Sequence, residues 1–97
     1  MPSFSEKCYT LLKKVPKGKV TTYKKIAEEL NTRAYRAVGN AMNRNSWKEV
    51  PCHRVIKSNG EIGGFARGTT NKIRLLKREG IEIINNKITL EKFIHKF

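Results

Sequence analysis

The chain has 97 residues, of which 38% are hydrophobic and 30% are charged. This balance is typical of one globular domain and excludes both a disordered tail and a second compact unit. Basic residues outnumber acidic ones by 21 to 8, which gives a net charge of +13 and predicts a polyanionic partner, with nucleic acid first and a membrane surface second.

No apolar run reaches the length of a membrane span, and the first residues lack the apolar region of a signal peptide. The sequence therefore predicts an intracellular protein, cytoplasmic or nucleoid-associated, with no membrane partner.

A first helix is predicted near the start of the chain. Ser3 to Glu6 form a capping box, and apolar residues then recur on one helical stripe as far as about Val15. The turn sequence Pro16-Lys17-Gly18 ends this helix. Cys8 falls on the apolar stripe, so the pattern predicts a core residue there and not a reactive thiol.

Two short helices joined by a tight turn are predicted next. One follows a cap at Thr21 or Thr22 and ends at Asn31-Thr32, and the other runs from about Arg33 to Asn43. This arrangement predicts a helix-turn-helix. The apolar side of the third helix is predicted to carry Ala34, Val38, Ala41 and Met42.

The second half of the chain is predicted to form two small hairpins on either side of a fourth helix. The first hairpin covers residues 55–62, and the second covers residues 81–90. The helix between them follows a cap at Thr69 or Thr70 and ends at Gly80. The predicted fold class is mainly α with small β-hairpins, a winged-helix-like helix-turn-helix DNA-binding domain. The fourth helix is predicted to turn Ile73, Leu75 and Leu76 inward.

The segment Pro51-Cys52-His53-Arg54-Val55 carries the most chemistry. A thiol is a strong nucleophile only as the thiolate, and a nearby imidazole or cationic surroundings favour that form. A single cysteine is nevertheless more often a small buried hydrophobe, and neighbours in a strand point to opposite faces. The segment by itself leaves the catalytic and the structural interpretations of Cys52 open.

Neither a metal nor a cofactor is expected. Two cysteines, Cys8 and Cys52, and two histidines, His53 and His95, show no paired metal-ligand spacing. No glycine-rich phosphate loop follows a predicted strand. A group transferred by this protein would have to come from its partner.

An ordered set of motifs resembles the DNA-binding, catalytic domain of the O6-alkylguanine-DNA alkyltransferases. The resemblance spans roughly Phe4 to Ile83, and the N-terminal α/β domain of most members has no counterpart, so a single minimal domain over residues 1–97 is expected. The motifs are Arg36-Ala37-Val38-Gly39-Asn40-Ala41-Met42, Asn45, Pro51 to Val55, Gly60 with Gly63-Gly64-Phe65, and Lys72 with Leu75-Leu76 and Glu79-Gly80.

The resemblance implies direct, irreversible repair of DNA. An alkyl group would move from O6 of a flipped-out guanine to the sulfur of Cys52, and the protein would be consumed. In the family the cysteine passes its proton through water to a histidine that a glutamate orients, and the matching residues are His53 and Glu79. The implied partner is double-stranded DNA containing O6-alkylguanine, and a monomer suffices for a reaction at one lesion.

The resemblance also implies roles in binding. Tyr23 matches the tyrosine that donates to the guanine ring, and Arg36 matches the arginine that fills the space left in the base stack. The helix that carries Arg36 lies in the minor groove in this family. Asn45 matches the asparagine that holds the cysteine loop. Val55, Phe65, Ala66 and Lys72 correspond to the substrate pocket, and Ser5, Lys24, Asn31 and Ser58 correspond to contacts with the DNA backbone.

Two departures from the family pattern concern the contacts of the Asn45 loop and the substrate pocket. Asn45 and Cys52 are separated by 52 − 45 = 7 positions, one fewer than the family spacing. Phe65 and Ala66 stand where many members have tyrosine and serine, which implies activity on an altered range of alkyl groups.

Two other functions remain open. An alkyltransferase-like binding protein would recognise the lesion and flag it without reacting, but those relatives carry a residue other than cysteine, commonly tryptophan, at the position of Cys52. A plain helix-turn-helix regulator would explain the charge and the helices, but not the segment from Pro51 to Val55 or the position of Glu79.

Overall fold

A computed structural model describes residues 3–44, 49–64 and 68–97. Within these ranges the chain is mainly helical with one small parallel sheet, which confirms the predicted fold class. The elements in chain order are α1 (Phe4–Leu12), β1 (Thr21–Thr22), α2 (Tyr23–Glu29), α3 (Tyr35–Asn43), a 3₁₀ turn (Cys52–Arg54), β2 (Val55–Ile56), α4 (Thr69–Arg78) and α5 (Leu90–Phe93).

The first helix begins as predicted and ends early. The hydroxyl of Ser3 accepts a hydrogen bond from the backbone N–H of Glu6 at 3.1 Å. The helix ends at Leu12, not near Val15, because a residue that precedes proline is disfavoured in the helical conformation. Val15 is still buried, and Cys8 is fully buried as predicted.

The helix-turn-helix is formed by α2 and α3. Thr22 caps α2, and its hydroxyl accepts from the N–H of Lys25 at 3.0 Å. The third helix begins at Tyr35 and not at Arg33, because the hydroxyl of Thr32 accepts from the N–H of Ala34 and holds the preceding turn. Ala34 is therefore an exposed N-cap residue, and its prediction as part of the apolar side was wrong.

Strand pairing differs from the predicted hairpins. A turn does form at residues 57–61, with Gly60 at a φ of +91°, but Val55–Ile56 pairs in parallel with Thr21–Thr22. In the second predicted hairpin only a single bridge joins Ile84 to Lys87, and Leu90 begins α5. Turn signals are local, whereas the strand partner is selected by burial over a long separation.

The parallel pair separates two apolar clusters. Val55 belongs to a cluster under α1, α2 and α3, and Ile56 belongs to a cluster under α4, because successive residues of a strand point to opposite faces. Cys52 belongs to the first cluster. The 3₁₀ turn (Cys52–Arg54) is thus held between the helix-turn-helix and α4.

The fourth helix begins and ends with glycine. Its N-cap is Gly68, so the predicted cap at Thr69 or Thr70 was wrong, and Gly80 follows its end at a φ of +88° as predicted. Leu76 is fully buried, whereas Ile73 and Leu75 are only partly covered. No helix in the described part of the chain is long and apolar enough to cross a bilayer.

Candidate active site

Cys52 opens the 3₁₀ turn that follows Pro51. The turn is held by backbone hydrogen bonds from Cys52 to Val50 at 2.8 Å and from Arg54 to Pro51 at 2.9 Å. The side chain is nearly covered, with 7% of the residue exposed, and Sγ lies 3.8 Å from Sδ of Met42 on α3. The thiol therefore faces the helix-turn-helix.

His53 and Glu79 meet although 26 positions separate them in the chain. Nε2 of His53 lies 2.8 Å from Oε2 of Glu79, and both side chains are mostly covered. An ionised carboxylate only accepts hydrogen bonds, so Nε2 of the neutral ring carries the proton. Nδ1 is left with a lone pair that can accept a proton.

Arg54 holds the other side of Glu79. Its Nε donates to Oε1 at 2.9 Å, and its Nη2 donates to Oε2 at 2.7 Å. Nη1 donates to the backbone oxygen of Val15 at 2.8 Å. The bidentate pair fixes the carboxylate, and therefore the ring plane of His53.

The environment keeps this histidine neutral and this glutamate ionised. Burial lowers the pKa of His53, and the opposing influence of Glu79 does not restore the ordinary value. Burial alone would raise the pKa of Glu79, but the hydrogen bonds from Arg54 and His53 outweigh it, so the pKa lies below the ordinary value. His53 is therefore suited to act as a base near neutral pH.

Lys72 is a lysine with no exposed surface. Its Nζ donates to the backbone oxygens of Val55 at 2.7 Å and Gly64 at 3.2 Å. Burial lowers the pKa of Lys72 to about 8, while the charge of the neighbouring Cys52 acts in the opposite direction. Lys72 thus joins the end of the 3₁₀ turn, at Val55, to the loop that contains Gly64.

Tyr23 lies at the start of α2 on the same side. Nζ of Lys72 is 5.9 Å from the centre of its ring. A side-chain carbon built on Gly63 would lie 3.5 Å from the Tyr23 hydroxyl oxygen, and Gly63 has a φ of +77°. Burial, and secondarily Cys52, raises the pKa of Tyr23, which keeps the phenol protonated as a hydrogen-bond donor.

The residues expected at the DNA lie on α1, on the helix-turn-helix and on the turn after β2. Arg36 is exposed in the first turn of α3, and Lys24 is exposed on α2. Asn31, at a φ of +56°, lines a groove of about 370 Å³ with Tyr35 and Arg33. Ser58 is exposed on the turn after β2, and Ser5 is partly covered on α1.

Some expected residues do not form an open pocket wall. The side chain of Val55 is fully buried in the core, so Val55 can face a ligand only through its backbone. Asn45, Phe65 and Ala66 lie outside the described residues, as does the one-residue contraction before Cys52. Within the described part of the chain, no three metal-ligating side chains come together.

Two structural partners were missed from the sequence. Arg54 was seen only as part of a motif, and Met42 only as an apolar helix residue. Arg54 lies inside a partly buried motif, and a covered guanidinium requires a hydrogen-bond acceptor. Its position could therefore have indicated that Arg54 has an acceptor within the fold. No spacing rule links residue 54 to residue 79, so its partner could not be identified.

The chain matches a family model and several curated relatives. The model for the 6-O-methylguanine DNA methyltransferase DNA-binding domain matches residues 3–81. A bifunctional methyltransferase/endonuclease from Picrophilus torridus is 44% identical over 88% of this chain and 29% of its own length. A methylated-DNA--protein-cysteine methyltransferase from Saccharolobus islandicus is 52% identical over 72% of this chain and 46% of its own length. The chain thus spans less than half of each of these relatives.

Solved structures share the fold. Atl1 from S. pombe, in complex with damaged DNA containing O6-carboxymethylguanine, has a TM-score of 0.88 at 32% identity, with both chains fully covered. O6-methylguanine-DNA methyltransferase from Pyrococcus kodakaraensis has a TM-score of 0.74 at 44% identity, over 84% of this chain and 48% of its own. Mycobacterium tuberculosis OGT in complex with DNA has a TM-score of 0.76 at 34% identity, over 81% of this chain and 50% of its own.

Proposed function

This chain belongs to the family of the 6-O-methylguanine DNA methyltransferase DNA-binding domain, and on that premise we propose that it repairs O6-alkylguanine in double-stranded DNA by moving the alkyl group to its own Cys52. The hydrogen bond between His53 and Glu79, directly beside Cys52 in the chain, carries this proposal.

The proposed transfer is a displacement at the alkyl carbon. The Cys52 thiol gives its proton to Nδ1 of His53 through water, and the thiolate attacks the carbon in line with the carbon–oxygen bond. A sulfur–carbon bond forms while the bond to O6 breaks. The electron pair stays with the guanine, which takes up, through water, the proton that His53 accepted from the thiol.

Each neighbour of the thiol has a role in this scheme. Glu79 orients His53 and stabilises the imidazolium that forms when the ring takes the proton, and Arg54 fixes Glu79. Lys72 holds the loop at Gly64 against the reactive turn, and its charge favours the thiolate. Tyr23 donates a hydrogen bond from its hydroxyl group to the guanine ring.

Access to the thiol requires the guanine to leave the duplex. Stacking and pairing block an in-line approach to O6, and extrusion costs a few kcal/mol. Arg36, exposed at the start of α3, would occupy the vacated space, while α3 lies in the minor groove. Lys24, Asn31, Ser5 and Ser58 would contact the backbone. Asn45 would hold the loop before Cys52, and Phe65 and Ala66 would complete the pocket.

The remaining features of the proposal follow from the chemistry. The alkyl group comes from the DNA, so the reaction needs no cofactor. One lesion reacts with one cysteine, so we propose that residues 1–97 act as a single unit and as a monomer on intracellular DNA.

The decisive experiment measures the intact mass of the protein after mixing with a duplex that holds one O6-methylguanine. We expect one added methylene on Cys52, stoichiometric with protein and without turnover. Cys52→Ser should abolish the mass change and keep most of the DNA affinity, whereas the matched variant Cys8→Ser, in the core, should still be alkylated. An adduct on Cys8, or none at all, would contradict the proposal.

Lesion binding without transfer is the second candidate. The similarity to Atl1 in complex with damaged DNA favours it. The same experiment separates the two functions, because a flagging protein would bind the lesion duplex in preference to plain duplex while its mass stays unchanged. A plain regulator would show no preference for the lesion.

A further inference from the structure

A second cationic surface is formed by two segments outside the proposed DNA-binding face. One segment is the loop between α1 and β1, and the other is the last turn of α4. Five exposed lysine and arginine side chains of these segments form what we call the rear cationic surface: Lys14, Lys17, Lys19, Lys77 and Arg78.

The two segments adjoin each other. A side-chain carbon built on Gly18, at the tip of the loop, would lie 3.5 Å from the backbone oxygen of Glu79, directly after Arg78. The loop closes with a hydrogen bond from Lys19 N–H to the oxygen of Pro16 at 3.2 Å. The cations are therefore held on one continuous surface and not on independent tails.

The rear cationic surface and α3 adjoin the 3₁₀ turn (Cys52–Arg54) through different residues. Cys52 contacts α3 through Met42. His53 contacts Glu79, whose backbone oxygen lies beside Gly18 of the loop. None of the five cations belongs to α2 or α3, and we infer that a duplex held by α3 leaves the rear cationic surface in solvent.

The helix dipoles compensate only part of this positive charge. Two helices, α1 and α4, end next to the surface, and each end is equivalent to roughly −0.5 of a charge. No ion pair joins any of the five cations to a carboxylate in the described part of the chain. About four positive charges thus remain without a partner in the fold.

The surface suits a phosphate backbone better than a protein partner. Protein interfaces centre on buried aromatic or aliphatic anchors. The large hydrophobic residues exposed in the described ranges are Tyr35, Ile84 and Phe97, and none of them belongs to the two segments. Flexible lysines without an apolar centre are typical of sequence-independent contacts with phosphates.

We propose that the rear cationic surface binds the backbone of a second segment of double-stranded DNA while α3 holds the first. The protein would then bridge two duplexes. This inference rests on the proposed function only in assigning the first duplex to α3.

The test is a two-duplex capture. A biotinylated duplex without a lesion is immobilised and saturated with protein at about 50 mM salt. After washing, a fluorescent duplex is added, and both the protein and the fluorescence retained are measured. The triple variant Lys17→Gln, Lys77→Gln, Arg78→Gln is compared with a control of equal charge loss on other exposed positions, Arg74→Gln, Lys87→Gln, Lys92→Gln.

We expect the triple variant to stay on the immobilised duplex and to transfer the methyl group as fast as the unmodified protein. Its retention of the fluorescent duplex should fall at least about tenfold, while the control changes less than about twofold.

Three results would overturn the inference. The first is that immobilised protein captures no fluorescent duplex, and the second is that the triple variant bridges as well as the unmodified protein. The third is that a polyglutamate probe of equal charge is held as strongly as the duplex. The last result would assign the surface to an acidic protein. Absence of protein from the first duplex would instead contradict the proposed function.

Discussion

At the scale of single residues, the site depends on the charge states of two touching side chains, a neutral His53 and an ionised Glu79. Burial lowers the pKa of His53, while the hydrogen bonds from Arg54 and His53 outweigh the effect of burial on Glu79 and lower its pKa. A neutral ring with its proton on Nε2 presents Nδ1 as a base, which is the state that the proposed transfer needs.

The pH dependence of transfer tests this state. Because the pKa of His53 lies below its ordinary value of 6.5, more than half of the rings are unprotonated at every pH above that value. We expect the single-turnover rate of methyl transfer to fall to half of its plateau only at a pH below 6.5. A rate that already halves above pH 6.5 would contradict this role of His53.

Removing the carboxylate charge should slow the reaction. In Glu79→Gln an amide replaces the carboxylate, so His53 loses the charge that stabilises its protonated form. We expect the single-turnover rate at pH 7 to fall by about 100-fold, which is the usual range for a general base. The exposed neighbour Glu82 provides the control, and Glu82→Gln should leave the rate unchanged.

At the scale of elements, two adjacent threonines in β1 have different surroundings. Thr22 caps α2 through its hydroxyl. Thr21 is fully buried, and its hydroxyl has no hydrogen-bond partner among the described residues. A short strand between two apolar clusters therefore contains one polar group that stabilises the fold and one that costs free energy.

The two valine substitutions should change stability in opposite directions. We expect Thr21→Val to raise the free energy of unfolding by about 1 kcal/mol, because the hydroxyl without a partner is removed at constant shape. Thr22→Val should lower it by about 1 kcal/mol through loss of the cap. Thermal unfolding of both variants measures the difference, and a destabilised Thr21→Val would show that its hydroxyl has a partner.

A substitution at Gly39 in α3 should change stability and DNA affinity in opposite directions. It lies one turn after Arg36, and a side-chain carbon built there meets nothing within 4 Å. We expect Gly39→Ala to stabilise the helix by up to about 1 kcal/mol. If α3 lies in the minor groove, the added methyl group should lower DNA affinity about tenfold. Titration of a labelled duplex measures this, and unchanged affinity would place Gly39 away from the DNA.

At the scale of the whole molecule, the net charge of +13 and the site have separate effects on binding. Charge acts on any phosphate backbone and is screened by salt, whereas in the proposed function the recognition of a flipped guanine depends on a covered pocket. Affinity and lesion preference should therefore respond differently to ionic strength.

We expect affinity for plain duplex to fall at least about tenfold between 50 and 200 mM salt, because several phosphate contacts release counterions. The ratio of affinities for lesion and plain duplex should stay within about twofold. Equilibrium titrations at several salt concentrations measure both quantities. A lesion preference that declines in step with affinity would mean that recognition is mainly electrostatic.

The sequence by itself determined the features that depend on near neighbours. The cap at Ser3, the turn at Gly60, the end of α4 at Gly80 and the apolar position of Cys8 follow from spacings of a few residues. The Cys52-His53 pair and the nucleic-acid character of the partner were likewise predicted from local motif, resemblance and charge.

Only the tertiary structure decided which distant residues meet. Three features join segments that no local spacing relates. They are the parallel pairing of Thr21–Thr22 with Val55–Ile56, the hydrogen bonds of Arg54 to Glu79 and Val15, and the complete burial of Lys72. The physical reason is that such contacts are selected by how the apolar faces of all the elements pack at once, and each charged group drawn inside by that packing must find its partner there.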